Sequence, residues 1–294
     1  MQGSDRMVFL DPKSDIAFKK LFSSSEHKNV LISFLNSILA REEGEKIVDV
    51  VINDPNNLPE TPDSKASAVD VYCTDQQGAN YIVEMQVLKQ QDYAVRCQYY
   101  SAVALGRQLM QGEKFEFLKP VIFVGILDFD LLRAPNFLSH HFILNVETRE
   151  HSLKHFEFHF VELNKLNKTV DELSSDLEKW TYFLKNAQTL QKIPATLNKP
   201  AFKEAFDILE QGNWTTKELN AYDRYIDAIR SRENQIDTAK GEGREKGKEE
   251  AFKLIAQDLL TTTSMNITEI ARLTRLSLEE IEKIKKELNT KKSK

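Results

Sequence analysis

One hairpin decides the fold of this chain. Residues 68–87 have the sequence AVDVYCTDQQGANYIVEMQV. Two runs rich in β-branched and aromatic residues flank the segment Gln76-Gln77-Gly78, and this pattern is typical of two antiparallel strands joined by a short turn. The segment therefore predicts a β-hairpin.

The length of the turn decides which side chains of the hairpin share a face. A three-residue loop, with Gly78 in the left-handed conformation, would place Asp70 directly opposite Glu84. A two-residue loop would place the two carboxylates on opposite faces, because side chains alternate along a strand. The position of the glycine favours the three-residue loop.

Facing carboxylates in a hairpin require a counter-charge, since like charges opposite each other destabilise the pair. Asp70 and Glu84 offer the hard oxygen ligands that Mg²⁺ or Mn²⁺ prefers, and Gln86, on the same face as Glu84, can orient a water or a phosphate by hydrogen bonding. Alternating polar residues are equally typical of a solvated strand face. The apolar neighbours of Glu84 favour a buried carboxylate, which needs a partner.

The flanking segments predict a mixed sheet covered by helices, an α/β fold. Helical spacing of apolar residues and capping signals indicate three helices, at 11–22 (with Asp11 or Ser14 as the cap), at 30–39 (ended by Gly44) and at 90–110 (ended near Gly112). Four further strands are predicted at 47–52, 120–127, 142–146 and 155–161, with a loop at 56–66. After residue 171 the strand signals end, and an all-α C-terminal region follows.

This pattern predicts four parts of the chain. They are an α/β core at 7–165, a helical extension at 166–240, a charged glycine-containing linker or helix at 241–250, and a small helical unit at 251–294.

Composition narrows the class of protein. The chain has 294 residues, of which 41% are hydrophobic, and a formal net charge of -5. This charge argues against a protein that coats nucleic acid non-specifically, but it permits local basic patches. Two cysteines, Cys73 and Cys97, are too few for a disulfide framework and predict reduced thiols. Without an apolar run of about 20 residues or a signal-peptide pattern near its start, the chain is expected to be cytoplasmic and to have no membrane partner.

Two other patterns resemble ligand sites at first sight. His151, His155 and His159 have a spacing that could form a zinc site on a helix, but they lie among alternating phenylalanines and are interpreted as polar strand positions. The glycines at 241–247 lack the Gly-Lys-Ser/Thr ending and the preceding strand of a phosphate-binding loop, so no nucleotide cofactor is expected.

The hairpin resembles that of the PD-(D/E)XK nuclease-like proteins of the transposase type, specifically the Rpn family of recombination-promoting nucleases. The opening segment 11–22, DPKSDIAFKKLF, is similar to the first helix of that family. The resemblance implies a restriction-endonuclease-like fold in which Asp70 and Glu84 bind the metal and Gln86 takes the position of the motif lysine. It also implies that Asp15 corresponds to the acidic or polar position on the first helix.

Two regions could contact DNA. Arg96, Tyr99 and Tyr100 follow the hairpin at helical spacing and could bind phosphate or stack on a base, although tyrosines also commonly pack against a sheet. The C-terminal segments 266–271 and 277–281 resemble a helix-turn-helix, yet the second begins with acidic residues that would repel phosphate. DNA reading and self-association, as a homodimer or higher homo-oligomer, are both left open for this unit.

The sequence therefore predicts a Mg²⁺-dependent DNA endonuclease, with a possible connection to recombination, mobile elements or phage defence. The alternative is a catalytically weak or inactive protein that keeps the nuclease fold and binds DNA or itself.

Overall fold

The computed structural model describes residues 7–53 and 69–292 and contains a mixed sheet. Its strands, within those residues, are β1 Val50–Asn53, β2 Val71–Asp75, β3 Asn80–Gln86, β4 Val121–Leu127, β5 Leu138–Ile143 and β6 Leu153–Glu162. They lie in the order β1-β2-β3-β4-β6-β5. The β3-β4 and β4-β6 pairs are parallel and the other pairs are antiparallel. The predicted mixed sheet is confirmed, and β3 lies in its interior.

Helices cover both faces of this sheet. The α-helices of the described chain are α1 Asp15–Phe22, α2 Lys28–Leu39, α3 Tyr93–Gly106, α4 Asp176–Asn186, α5 Pro200–Leu209, α6 Thr216–Thr262, α7 Ile267–Thr274 and α8 Leu278–Lys292. One apolar core joins α1, α2, α4 and α5 to Val71 and Val83 of the sheet. A second core joins α3 to Ile82 and Phe123 on the opposite face. Strand β4 is buried along its whole length, as its uninterrupted apolar sequence predicts.

The turn of the β2-β3 hairpin contains three residues. The Asp75 N–H donates to the Ala79 carbonyl at 3.0 Å, and the Gly78 N–H donates to the Asp75 carbonyl at 3.0 Å. Gly78 has a φ of +87°, a conformation that glycine adopts without steric cost. Val71 consequently pairs with Val83, which is the predicted register.

The start of α1 is fixed by a side-chain cap. The Ser14 hydroxyl accepts a hydrogen bond from the Ala17 N–H at 3.3 Å and donates to the Asp11 carbonyl at 2.9 Å. Of the two predicted caps, Ser14 is therefore the one observed. Asp15 becomes the first residue of the helix.

Helix α3 is shorter than the predicted segment 90–110. It ends at Gly106 because the chain is tied into a turn just beyond it. The Gln108 side-chain amide donates to the Lys119 carbonyl at 2.9 Å and accepts from the Lys119 N–H at 2.7 Å. Gly112, with a φ of +93°, lies in a later turn and does not end the helix.

Three other predicted bounds also differ. Helix α2 ends at Leu39 with Ala40 in the left-handed conformation, at a φ of 47°, so Gly44 does not end it. Strand β5 stops at Ile143 because the Asn145 side chain accepts from two following backbone N–H groups and closes a turn. Strand β1 begins at Val50, after the predicted start. The predicted loop at 56–66 lies outside the described residues.

The two cysteines are free and lie on opposite faces of the sheet. Cys73 belongs to the core around α1 and α2, and Cys97 belongs to the core beneath α3. Burial raises the pKa of each thiol to about 12. The prediction of reduced thiols is consistent with both environments.

The described chain divides into two compact units, whose boundary in sequence is between Ile226 and Asp227. The C-terminal unit has a small apolar core of Ala256, Ile270, Leu276, Ile281 and Ile284. The charged segment 241–250 is helical, as part of α6. None of the described helices is long and apolar enough to cross a membrane.

Candidate functional site

Two carboxylates lie across the hairpin from each other. Asp70 immediately precedes β2, and because Val71 pairs with Val83, Asp70 occupies the position opposite Glu84. Alternation along β3 directs the Glu84 side chain to the sheet face that α3 covers, the face of Ile82. Gln86, two residues after Glu84, shares that face. The structure therefore brings the three predicted hairpin residues together.

Asp70 is held by two backbone contacts. One of its carboxylate oxygens, Oδ2, accepts a hydrogen bond from the Met85 N–H at 2.9 Å. Its carbonyl oxygen accepts from the Ser23 hydroxyl at 3.0 Å, which ties the start of β2 to the end of α1. These contacts fix the position of the carboxylate and leave its second oxygen, Oδ1, without a backbone donor among the described residues.

Glu84 is buried in the interior strand β3, with 6% of its surface exposed. No hydrogen bond to its carboxylate exists within the described residues. Its neighbour across the parallel pair is Gly125, where an added Cβ would lie 2.7 Å from the Tyr93 hydroxyl oxygen and 2.8 Å from Phe160. The glycine thus makes room for the Tyr93 ring, whose buried hydroxyl also has no hydrogen-bond partner in the described chain.

Burial sets the protonation of the pair. It raises the pKa of Asp70 to about 6, against the lowering effect of the Met85 N–H, and the charge of Asp15 raises it further. Burial raises the pKa of Glu84 to about 8, and the charge of Asp70 adds to this effect while Arg96 opposes it. Near neutral pH the pair holds a proton that a bound cation would displace.

The Gln86 amide is engaged at both ends. Its oxygen accepts a hydrogen bond from Nη2 of Arg96 at 2.7 Å, and its nitrogen donates to the Leu88 carbonyl at 2.9 Å. One N–H and one oxygen lone pair remain for a water or a phosphate. The Arg96 guanidinium also donates, through Nη1, to the Gln90 side chain. Helix α3 therefore brings a cation to the hairpin residues.

Asp15 lies near the pair, as the resemblance implied. Its charge contributes to the raised pKa of Asp70, and it forms an ion pair with Lys19 at 2.7 Å. Tyr225, in α6, belongs to the same surroundings: burial, followed by the charges of Asp15 and Asp70, raises its pKa to about 12. Sequence reasoning did not include Tyr225, which no local pattern connects with the hairpin.

The two tyrosines predicted to contact DNA are neighbours on α3, and Tyr100 also packs against the core beneath that helix. Tyr99 is 42% exposed and Tyr100 is partly buried, with their ring centres 6.0 Å apart. Both line an open cavity of about 340 Å³ together with Asp92, Val95 and Arg96. An exposed aromatic surface beside a guanidinium suits a nucleotide base, and the DNA contact of these residues stays a prediction.

The donor set suits a hard, partly hydrated cation. Within the described residues, no group of three or more His, Cys, Asp or Glu side chains is arranged to hold a metal ion. Protein ligands at this site would therefore be the two carboxylates, Asp70 and Glu84, with waters completing the shell. Mg²⁺ typically binds through one or two carboxylates in this way. The donors fit Mg²⁺ or Mn²⁺ and do not fit a closed zinc site.

The three histidines considered above do not form a metal cluster in the described chain. His159 is a buried position on β6, and its Nδ1 lies 2.6 Å from Nδ1 of His140 on β5. Its Nε2 lies 3.4 Å from Glu157. The interpretation of His159 as a strand residue is confirmed.

A comparison with protein families gives a match over most of the chain. The family described as PD-(D/E)XK nuclease family transposase matches residues 12–239. This range begins just before α1, includes every candidate site residue, and ends within α6. No curated protein and no solved structure matches the chain.

Proposed function

The chain belongs to the PD-(D/E)XK nuclease family transposases, and from this membership we propose that it is a metal-dependent endonuclease that hydrolyses phosphodiester bonds in DNA. The observation that carries the proposal is the placement of two carboxylates opposite each other on the hairpin, the half-buried Asp70 and the buried Glu84. Their raised pKa values indicate a pair that is unfavourable without a cation.

Asp70 and Glu84 would hold Mg²⁺, with Mn²⁺ as the other suitable ion. When bound, the ion would lower the pKa of a coordinated water and stabilise negative charge on the phosphate. The N–H of Met85 keeps the Asp70 carboxylate in place. The free N–H of Gln86 would donate to the attacking water or to a phosphate oxygen.

Substrate contacts are proposed for the open cavity that Arg96, Tyr99 and Tyr100 line. Arg96 can neutralise phosphate charge, and Tyr99 and Tyr100 offer faces on which a base can stack. We place self-association in the C-terminal unit and the protein in the cytoplasm, and we assign no nucleotide cofactor. We further propose a role in recombination, mobile elements or phage defence, which the family description supports in type only.

A second candidate is a protein with the same fold and weak or no catalysis. It is favoured by Gln86, which puts an uncharged amide at the position of the motif lysine, and by the two-carboxylate ligand set. Such a protein would bind DNA or itself without cutting.

Plasmid cleavage by the purified full chain separates the two candidates. We expect nicking or linearisation with Mg²⁺ or Mn²⁺, none with a chelator, and loss in Asp70→Asn and in Glu84→Gln. The matched control is Glu147→Gln, which makes the same chemical change at an exposed turn residue. Cleavage that survives in both hairpin variants would reject the site. DNA binding with no cleavage by the wild-type protein would favour the second candidate.

A further inference from the structure

Arg96 and Gln86 form one hydrogen-bonded unit across the gap between α3 and β3. The guanidinium Nη2 donates to the Gln86 amide oxygen at 2.7 Å. Position 86 holds an uncharged side chain on the same face as Glu84, while Arg96 is positively charged at any physiological pH. Strand β3 therefore has no positive charge at position 86, but Arg96 of α3 carries one and is hydrogen-bonded directly to Gln86.

The guanidinium is held in place by its surroundings. Its other terminal nitrogen donates to Gln90, and its carbon lies 5.3 Å from the centre of the Tyr93 ring and 6.0 Å from that of Tyr100. Stacking on aromatic rings and bonding to two amides restrict the rotamers of Arg96. A guanidinium has five N–H donors, so several remain for a further acceptor.

The bond from Arg96 reaches the strand that carries Glu84. Its acceptor, Gln86, lies two residues after Glu84 on the same face of β3.

We propose that Arg96 is a positioning residue that supplies, from helix α3, the positive charge that a lysine at position 86 would supply. Through its hydrogen bond it also fixes the Gln86 amide, so that the free N–H of Gln86 keeps a constant direction toward the reacting phosphate. This inference rests on the proposed nuclease function. It differs from the role of an ordinary phosphate contact, which would hold DNA without acting through Gln86.

The two roles predict different changes in measured constants. A phosphate contact contributes to DNA affinity, and its removal weakens binding and reduces the salt dependence by about one unit of slope. A positioning residue acts on the cleavage step, so its removal lowers the rate at saturating protein and leaves affinity nearly unchanged. If Arg96 is a positioning residue, a lysine placed at position 86 would restore the cleavage rate that is lost with Arg96. If Arg96 is a phosphate contact, that lysine would not restore the lost affinity.

The experiment compares Arg96→Met, Gln86→Lys and the double variant Gln86→Lys/Arg96→Met. Methionine keeps an apolar stem against Tyr93 and Tyr100 while removing the charge. Lys154→Ala, which removes an exposed positive charge on β6, is the matched control. Single-turnover cleavage of a labelled duplex is measured with Mg²⁺, and the dissociation constant of the same duplex is measured in a chelator.

We expect Arg96→Met to lower the cleavage rate by about a hundredfold, the usual effect of losing one oriented charge-stabilising donor. The dissociation constant should change by less than about threefold, and the double variant should recover about tenfold or more of the lost rate. Lys154→Ala should retain the wild-type rate. In nitrogen-labelled protein without metal, Arg96→Met should also shift the side-chain amide signal of Gln86.

Three results would overturn the inference about Arg96 and leave the proposed nuclease function intact. They are an unchanged rate in Arg96→Met, a loss confined to DNA affinity, and a double variant no faster than Arg96→Met. Failure of the proposed function has a different signature, in which the wild-type protein shows no Mg²⁺-dependent cleavage sensitive to Glu84→Gln. That result would remove the inference together with the function on which it rests.

Discussion

The charge of Asp70 raises the pKa of Glu84, which lies across the β2-β3 hairpin from it. Burial is the larger cause, since Glu84 occupies an interior strand. The two carboxylates therefore resist simultaneous ionisation in the metal-free protein. This coupling links the stability of the fold to pH and to cations.

We expect the free energy of unfolding of the metal-free protein to fall as the pH rises from about 4.5 to about 8. The pKa of Glu84 is raised from 4.5 to about 8 in the folded state, so over this interval the folded chain binds more protons than the unfolded chain. Each unit between the two pKa values corresponds to about 1.4 kcal/mol at most. Thermal denaturation in a chelator across this pH range measures the effect.

Glu84→Gln should reduce this pH dependence, because the amide does not titrate. The smaller pH dependence that remains is due to Asp70, whose pKa in the folded state is raised to about 6. Glu147→Gln should leave the dependence as it is in the wild type. An equally steep fall in stability for Glu84→Gln would contradict the assignment of the effect to this carboxylate.

Gln86→Ala should lower the rate of Mg²⁺-dependent cleavage by roughly tenfold to a hundredfold, because it removes the amide that would donate to the water or phosphate. The measurement is the initial rate of plasmid nicking at equal protein concentrations. Gln98→Ala is the matched control, since Gln98 is an exposed α3 residue whose amide, within the described residues, donates to the Ala94 carbonyl alone. Equal cleavage rates for both variants would show that the Gln86 amide has no role in cleavage.

Gly125→Ala should destabilise the protein by about 1 to 3 kcal/mol, the usual cost of an overpacked core position. The new methyl group would lie 2.7 Å from the Tyr93 hydroxyl oxygen and 2.8 Å from Phe160. Equilibrium urea denaturation measures the change. Tyr93→Phe in the same chain should restore part of the loss by removing the nearest atom.

Gly106→Ala is the control for that substitution. Gly106 ends α3, and apart from its chain neighbours and its own helix turn, no atom in the described part of the chain lies within 4 Å of the added Cβ. We expect it to be neutral or to stabilise the protein by up to about 1 kcal/mol. Equal destabilisation by both alanines would show that the close approach at Gly125 is not the cause.

A chain that ends at Lys240 should keep divalent-dependent cleavage at high concentration and lose self-association. Every candidate catalytic residue precedes that point, and the C-terminal unit has a small core that leaves apolar side chains in solvent, among them Leu254 at 65% and Leu273 at 52% exposed. Pairing between chains is a physical way to bury them. Sedimentation and cleavage assays on the shortened chain test this, and an unchanged oligomeric state with altered DNA preference would instead assign DNA reading to the unit.

The hairpin was predictable because its determinants are local. One glycine at a fixed place in the turn selects the three-residue loop, and that loop fixes the register of Asp70 against Glu84. The Ser14 cap and the position of Asp15 are local in the same way. For such features the sequence pattern and the three-dimensional contact involve the same few residues.

The rest of the site depends on contacts that sequence spacing does not encode. Arg96 was predicted as a DNA contact, but its bond to Gln86 depends on how α3 crosses the sheet. Tyr225 reaches Asp15 from α6, far along the chain. The end of α3 likewise depends on the bridge between Gln108 and Lys119, which a helix-ending signal such as Gly112 does not reveal.

Each of the two helical layers that cover the sheet has one buried cysteine, and the reactivity of that thiol reports on the layer. Cys73 is buried beneath the α1 and α2 layer, and Cys97, a residue of α3, is buried on the side of that helix that packs against the sheet. Because their thiols are buried and protonated, alkylating reagents can reach either one only when its own layer opens. The alkylation rate of Cys97 relative to Cys73, followed by mass spectrometry, would therefore report how often α3 lifts from the candidate site while the remaining layer stays closed.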